Sequence, residues 1–234
     1  MIPVLYEDAH VVVLNKPAGL AVHAGPRGGP SVEDEFPRLS RRRAGPWLAH
    51  RLDADTAGCL VVALRRAALV TIQAAFAEGR VRKTYWAVVD GAPSGMDGEV
   101  DAPLLKRSGV GGWRMVVDPA GAAARTAWRV RGQVGGCTWL ELHPLTGRTH
   151  QIRVHCAALG CPVVGDAVYG AALPRHPGLD PGSRSLAARS HVVGTGLMLL
   201  ARAIVLPLDP PVSVVAPPPP HMLAALRVCG WDGA

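Results

Sequence analysis

The length, composition and charge of the chain limit its class. Its 234 residues are 49% hydrophobic, which predicts a globular protein with a substantial core and argues against an unstructured chain. The formal net charge of +7 favours a polyanionic partner such as nucleic acid over a small neutral substrate. The five cysteines include no Cys-x-x-Cys pair, and neither a signal peptide nor an apolar run of about 20 residues is evident, so we expect a cytoplasmic protein without disulfides, zinc ribbon or membrane helix.

The first 47 residues predict a strand followed by a basic loop. Val11 to Leu14 form a short β-branched run that ends before a turn containing Pro17 and Gly19. Residues 24 to 47 are rich in Gly, Pro and Arg and show no helical or strand period. The arginines of this loop are either a solvated surface charge run or an arm that contacts phosphates, and they are Arg38, Arg41, Arg42 and Arg43.

A polar cluster then leads directly into an apolar run. If residues 50 to 53 are extended, Arg51 and Asp53 point to one side of the chain. Residues 59 to 64 predict a fully buried strand, which would give the preceding carboxylates a rigid support. Asp53 and Asp55 are therefore either ordinary turn residues or catalytic carboxylates.

The middle of the chain predicts a helix and several strands. Leu69, Ile72 and Phe76 have helical spacing, and residues 81 to 89 predict a strand on which Tyr85 is either a packing residue or a catalytic one. Residues 91 to 124 predict loops and minor strands, and residues 126 to 130 and 138 to 142 predict a strand pair. Because βα units do not repeat, a mixed or antiparallel sheet is favoured over a doubly wound nucleotide-binding fold.

The stretch from Thr149 to Gly160 predicts a second helix. Thr149 would be its N-cap, and Arg153 falls about 100° from the centre of the apolar face, at the edge between core and solvent, where it suits a cleft. His150 and His155 point about 140° apart on a helix, so they cannot bind one metal ion together. Residues 173 to 190 predict a loop-like insertion, residues 197 to 208 and 212 to 215 closing strands, and residues 222 to 228 a final helix.

Three stretches, in order, resemble the signatures of the RluA-type pseudouridine synthases, and together with their surroundings they cover about residues 4 to 226. The first is His-Arg-Leu-Asp-x-x-Thr-x-Gly from His50 to Gly58, in which Ala57 stands where the family usually has Ser. The second is the pair Lys83-x-Tyr85. The third is Gly-Arg-Thr-His-Gln-Ile-Arg-Val-His from residue 147 to 155, followed by Gly-Asp-x-x-Tyr-Gly from residue 165 to 170. Residues 199 to 201 read Leu-Leu-Ala where the family often has Leu-His-Ala.

The resemblance implies a single α+β catalytic domain over residues 1 to 234, with a mixed, largely antiparallel sheet and no separate N-terminal RNA-binding domain. It implies a monomer that isomerises uridine to pseudouridine in ribosomal or transfer RNA without a cofactor or a metal. Asp53 would be the nucleophile, Tyr85 would stack on the uracil or transfer a proton, and Arg153 would keep Asp53 ionised. Residues expected to contact RNA are Arg51, Arg148, His150, Arg41, Arg42 and Arg43.

Two other functions are compatible with parts of the sequence. The first is a catalytically inactive RNA-binding protein that assists RNA assembly, against which the intact Asp53, Tyr85 and Arg153 count. The second is a glycoside hydrolase that uses Asp53 and Asp55 as its carboxylate pair. The basic composition suits a neutral sugar poorly.

Overall fold

The computed structural model describes residues 1–25, 28–40, 44–109, 112–170 and 196–233, which fall into two compact units. The first unit contains Met1–Thr84 and Leu200–Pro219, and the second contains Tyr85–Leu199 and Pro220–Ala234. Arg41, Arg42 and Arg43 and the predicted insertion at residues 173 to 190 lie outside the described residues. The single-domain organisation stays a prediction.

The regular elements are short strands and a few helices. In chain order the strands are β1 (Val4–Glu7), β2 (Val11–Lys16), β3 (Trp47–Leu48), β4 (Ala57–Ala63), β5 (Arg82–Asp90), β6 (Asp97–Asp101), β7 (Leu104–Gly109), β8 (Gly112–Val117), β9 (Arg125–Val134), β10 (Cys137–Pro144), β11 (Leu199–Leu206) and β12 (Val212–Val215). The helices are α1 (Phe36–Leu39), α2 (Arg66–Ala77), α3 (Gln151–Ala158) and α4 (Pro220–Val228). Within the described part of the chain, no helix has the length and apolar character needed to cross a bilayer.

The first unit is built around the buried strand β4. Its strands lie in the order β1-β2-β4-β11, with β3 paired to β4 and β12 to β11, and β4 runs parallel to β11 while its other neighbours are antiparallel. All seven residues of β4 are buried, which confirms the strand predicted from the continuous apolar run. The helix predicted around Leu69 and Ile72 is also confirmed, because α2 buries both side chains and packs against β4.

The second unit contains an antiparallel sheet and a separate hairpin. The sheet order is β5-β10-β9-β6, and β7 pairs with β8 outside it. The strand pair predicted around Gly135 is confirmed as β9 and β10. Trp139 of β10 is buried, with its ring centroid 4.7 Å from that of Trp86. The predicted class, an α+β fold with a mixed, largely antiparallel sheet, is confirmed.

The prediction of an unbroken loop from residue 24 to 47 was wrong. Residues Val32–Glu35 form a 3-10 helix that continues into α1. Ser31 and Asp34 form a reciprocal capping box at its start, and acidic residues fill the first turn, where they complement the partial positive charge of a helix N-terminus. Four-residue helices are too short to produce a readable hydrophobic period, so the pattern analysis missed them.

Candidate active site

Asp53 lies in the first unit, in a turn that precedes β4. The backbone N–H of Thr56 donates a hydrogen bond to the Asp53 carbonyl at 3.1 Å, so the turn predicted for this segment is present. Arg51 is exposed, Leu52 is buried and Asp53 is half-buried. The Asp53 backbone is thus held in a turn next to the most buried strand of the unit. The catalytic role of Asp53 stays a prediction.

Gly58 of the first motif is required by the close approach of two strands. Its φ is 107°, and a Cβ atom added there would lie 2.3 Å from the Ala201 carbonyl oxygen on the parallel strand β11. Any side chain would push β11 away from β4 and would strain the backbone. This glycine therefore fixes the strand that supports the Asp53 turn.

Lys16 is a site residue that the sequence analysis did not identify. It is completely buried at the end of β2, and its ammonium donates hydrogen bonds to the carbonyls of Pro17 at 2.8 Å, Leu20 at 2.7 Å and Ala54 at 2.6 Å. The Ala54 carbonyl also accepts the N–H of Gly19 at 2.9 Å. The residue that follows Asp53 is therefore held both by the end of β2 and by the turn that follows β2.

The Lys16 ammonium also contributes positive charge near the carboxylates. Burial lowers the pKa of Lys16 from 10.5 to about 8, and attraction to Asp55 and Asp53 opposes that change. The side chain therefore stays charged at neutral pH. One feature of the sequence indicates the role of Lys16, namely a lysine at the end of an otherwise apolar strand. Pro17 and Gly19 follow it and predict a turn, so Lys16 was interpreted as part of that turn.

His50 of the first motif has a structural role. Its Nε2 accepts the backbone N–H of Val61 at 3.0 Å, and its ring lies 4.9 Å from the ring of Phe76. Burial, reinforced by the positive charge of Lys83, lowers the pKa of His50 to about 4. The imidazole is therefore neutral at pH 7 and is committed to holding the segment before Asp53 against β4 and α2.

Arg153 lies in the second unit and is buried, not at the edge of the helix as predicted. Its Nε donates to Asp166 Oδ2 at 2.7 Å and its Nη2 donates to Asp166 Oδ1 at 2.8 Å, and the two side chains are 7% and 0% exposed. The prediction failed because residues 151 to 157 are buried around the whole helix, so α3 has no boundary between a core face and a solvent face.

The Asp166 carboxylate is fully occupied by donors. Its Oδ1 also accepts the backbone N–H groups of Val168 at 2.9 Å and Tyr169 at 3.0 Å. Burial alone would raise the pKa of Asp166, but hydrogen bonds from Arg153 and from these N–H groups hold the pKa below its usual value. Asp166 is thus ionised at neutral pH and fixes the Arg153 guanidinium.

His150 and Tyr169 extend this arrangement to the start of α3. His150 is the N-cap in a left-handed conformation with φ of 53°, so the prediction of Thr149 as N-cap was wrong. His150 Nδ1 lies 2.8 Å from the Tyr169 hydroxyl, which accepts the Met115 N–H at 3.1 Å. The Arg153 guanidinium carbon lies 5.1 Å from the centre of the Tyr169 ring. Two side chains of the third motif, His150 and Arg153, therefore meet at the buried side chain of a third, Tyr169.

The remaining predicted residues of this unit have separate environments. Tyr85 is half-buried on β5, opposite Leu142 of β10. Arg148 is exposed, with its Nε donating to the Ala123 carbonyl at 3.0 Å. In the described residues of both units, no group of three or more His, Cys, Asp or Glu side chains is arranged to hold a metal ion. The predicted ion pair between Asp53 and Arg153 stays a prediction.

Comparisons with known proteins place these motifs in one family. The sequence profile described as RNA pseudouridylate synthase matches residues 10–158. A Zymomonas mobilis protein described as an uncharacterized RNA pseudouridine synthase is 42% identical over 71% of this chain and 78% of its own length. The ribosomal large subunit pseudouridine synthase C of Vibrio cholerae is 40% identical over 71% of this chain, which spans about half, 52%, of that relative. The solved structure of human RNA pseudouridylate synthase domain containing 4 superposes with a TM-score of 0.75 at 30% identity, covering 96% of this chain and 92% of that one. The chain therefore belongs to the RNA pseudouridylate synthase family, among its RluA-type members.

Proposed function

We propose that this protein isomerises specific uridines to pseudouridine in ribosomal RNA, in the cytoplasm, with Asp53 as the nucleophile and without a cofactor. The family supplies the reaction class, and the name of the Vibrio cholerae relative, a ribosomal large subunit synthase, favours ribosomal over transfer RNA. The inactive RNA-binding alternative would need a lost catalytic group, whereas the motif residues Asp53, Tyr85 and Arg153 are intact.

The observation that carries the assignment of Asp53 is the contrast between the two motif carboxylates. Asp166 is sealed inside the second unit by Arg153 and two backbone N–H groups, so no substrate atom can reach it. Asp53 is half-buried, and its own carbonyl and that of the next residue accept hydrogen bonds from Thr56 and from Lys16. A nucleophile must be accessible and also held in place, and Asp53 meets both conditions.

The reaction breaks the bond between uracil N1 and ribose C1′ and forms a bond between C5 and C1′. The proton on C5 leaves to solvent and N1 gains one, so the product is an isomer of the substrate. A carboxylate can assist by attacking C1′ or the base, or by stabilising charge while a glycal forms, and Asp53 is suited to each of these routes. Because a uracil inside folded RNA is inaccessible, we expect the nucleotide to be flipped out of its helix or loop.

The other predicted residues have supporting roles in this proposal. The Arg153 guanidinium, whose orientation Asp166 fixes, would keep Asp53 ionised. Tyr85 would stack on the uracil or transfer a proton, and the exposed Arg51 would fill the space that the flipped base leaves. Contacts to RNA phosphates would come from Arg148, His150, Arg41, Arg42 and Arg43.

The replacement of Asp53 by Asn tests the proposal at one atom. The variant keeps the shape and the hydrogen-bonding capacity of the side chain but removes the nucleophilic charge. We expect tritium release from ribosomal RNA labelled at uridine C5 to be abolished while RNA affinity stays within about twofold. The matched control is Asp55→Asn, because Asp55 is exposed and lies two residues after Asp53. This variant should lose far less activity than Asp53→Asn. Wild-type tritium release by Asp53→Asn would remove Asp53 from the mechanism, and no release by the wild-type protein would contradict the activity.

A further inference from the structure

The hairpin formed by β7 and β8 carries an exposed surface that the proposed reaction does not use. In its register Ser108 pairs with Trp113 and Lys106 with Met115. Because directly paired residues of an antiparallel hairpin point to the same face, these four side chains share one face with Leu104. That face is divided into a buried half and an exposed half.

The buried half of the face attaches the hairpin to α3. Leu104 and Met115 belong to a buried cluster that also contains Val154 and Ala157 of α3 and Tyr169. This packing accounts for the apolar residues near the base of the hairpin. It does not account for Trp113, which lies farther along the same face and is 45% exposed.

Trp113 is held rigidly although it is exposed. Its ring is stacked on the imidazole of His150, with the centroids 5.1 Å apart and the planes inclined by 26°. His150 is in turn fixed by its contact with the buried Tyr169 hydroxyl at 2.8 Å. The indole is therefore oriented by the N-terminus of α3, and its conformational freedom is largely lost before any ligand arrives.

The hairpin is basic, and one of its cations lies directly over Trp113. Residues 104 to 117 include Lys106, Arg107 and Arg114 and contain no Asp or Glu. The Lys106 ammonium lies 4.6 Å from the centre of the indole ring. Arg114 and Arg107 lie on the opposite face of the hairpin, where Arg107 forms an ion pair with Asp118. An exposed, oriented aromatic ring with a cation over its face is a combination that single-stranded nucleic acids bind, with the base on the ring and the phosphate on the cation.

We propose that Trp113 and His150 form a stacking platform for an unpaired base of the RNA, with Lys106 on the phosphate that adjoins this base. The base displaces the Lys106 ammonium from the indole, and the ammonium then neutralises the phosphate. The platform rests on the proposed function only in that it takes RNA as the ligand. The platform also implies a property of the substrate: besides the target uridine, the RNA has a second nucleotide that lies outside any double helix.

The test measures binding rather than turnover, with two fluorescein-labelled probes of equal charge. The first is a uridine 12-mer, and the second is a 12-mer of the same ribose-phosphate backbone without bases. We expect Trp113→Ala to weaken binding of the uridine 12-mer roughly 5- to 150-fold and to leave binding of the abasic 12-mer unchanged, because only a base can stack. Trp113→Phe should retain most of the affinity, and Trp113→Leu, which keeps apolar cover without a π face, should behave like Trp113→Ala.

Two further variants separate stacking from charge and from general damage to the hairpin. Lys106→Met should weaken both probes and flatten the slope of log K against log salt by about 0.7, since one phosphate contact is lost on a single strand. Trp113→Ala should leave that slope unchanged. Val117→Ala removes another exposed apolar side chain from the same strand, 47% exposed, and should change neither affinity.

Two results would overturn the platform: equal affinity of Trp113→Ala and the wild-type protein for the uridine 12-mer, or an equal loss on both probes. The second result would assign Trp113 to the hairpin structure or to a protein partner. Tritium release by the wild-type protein is scored separately. If the wild-type protein releases tritium and Trp113→Ala binds the uridine 12-mer normally, only the platform is refuted. If Trp113 stacks on bases but the wild-type protein releases no tritium, only the proposed reaction is refuted.

Discussion

The replacement of Asp166 by Asn measures the contribution of the buried ion pair with Arg153. Two N–O contacts of 2.7 and 2.8 Å join side chains that are 0% and 7% exposed. Asn keeps the shape of the side chain but removes its charge and one acceptor. Because a buried cation then loses its anionic partner in a medium of low dielectric constant, the free energy of unfolding should fall by about 3 to 5 kcal/mol.

Urea unfolding at pH 7, followed by circular dichroism, is the direct measurement. We expect a lower midpoint with an unchanged slope, and a melting temperature lower by roughly 6 to 20 °C, at about 2 to 4 °C per kcal/mol for a chain of this size. Asp55→Asn is the control and should stay within about 0.5 kcal/mol of the wild-type protein. Arg153→Met should lower the free energy of unfolding less in the Asp166→Asn variant than in the wild-type protein, since the two side chains act as a pair.

The pH dependence gives the same prediction a second test. The pKa of Asp166 is lower in the folded protein than its ordinary value of 3.8, so the stability from this carboxylate is fully present above about pH 4. It is lost as the pH falls through the lowered pKa of the folded state. The difference in stability between the wild-type protein and Asp166→Asn should therefore narrow below pH 4. A loss under about 1 kcal/mol at pH 7, or a difference that does not change with pH, would refute this account of the pair.

Two further predictions concern the support of Asp53. The pKa of Lys16 is lower in the folded state, so between pH 8 and 10.5 the folded protein releases a proton that the unfolded chain keeps. The free energy of unfolding of the wild-type protein should therefore rise by up to about 3 kcal/mol over this pH range. Lys16→Met should abolish this rise. Parallel curves of urea midpoint against pH for the two proteins would contradict it. Gly58→Ala should cost more than about 2 kcal/mol, since its Cβ would clash with the Ala201 carbonyl, whereas Gly79→Ala, with φ of 70° and open space, should cost about 1 to 2 kcal/mol in thermal unfolding. Equal losses would show that the close approach of the strands does not matter.

The parts of the fold that follow from local sequence were predicted correctly. The strand β4 is buried on both faces, and α2 buries one face, so each leaves a clear pattern in the order of its residues. Asp53 was placed correctly before a rigid strand for the same reason. The short helices before Ser40 were missed, because their stability depends on a capping box and not on a hydrophobic period.

The parts of the site that depend on tertiary contacts could not be read from the sequence. Arg153 was predicted at the edge of a helix because a helix with one solvent-exposed face was assumed, whereas residues 151 to 157 of α3 are all buried. Its partner Asp166 lies thirteen positions away and reaches it through the turn at Gly165, which no spacing rule encodes. Lys16 was missed because its three hydrogen-bond acceptors are backbone carbonyls. Every residue has a backbone carbonyl, so the amino-acid sequence does not indicate which of them bind a lysine.

Lys16 of the first unit and Arg153 of the second are both buried cations, but the groups that they contact differ in charge. Arg153 is paired with a carboxylate, so the pair as a whole carries little net charge, and its main contribution is a guanidinium of fixed direction. The hydrogen bonds that Lys16 donates to Pro17, Leu20 and Ala54 go to neutral carbonyls, which orient the ammonium without cancelling its charge. Its attraction to Asp53 and Asp55 therefore persists at neutral pH. Within the first unit, Lys16 thus attracts Asp53 and also clamps the next peptide, so one side chain couples the position of the carboxylate to its electrostatics.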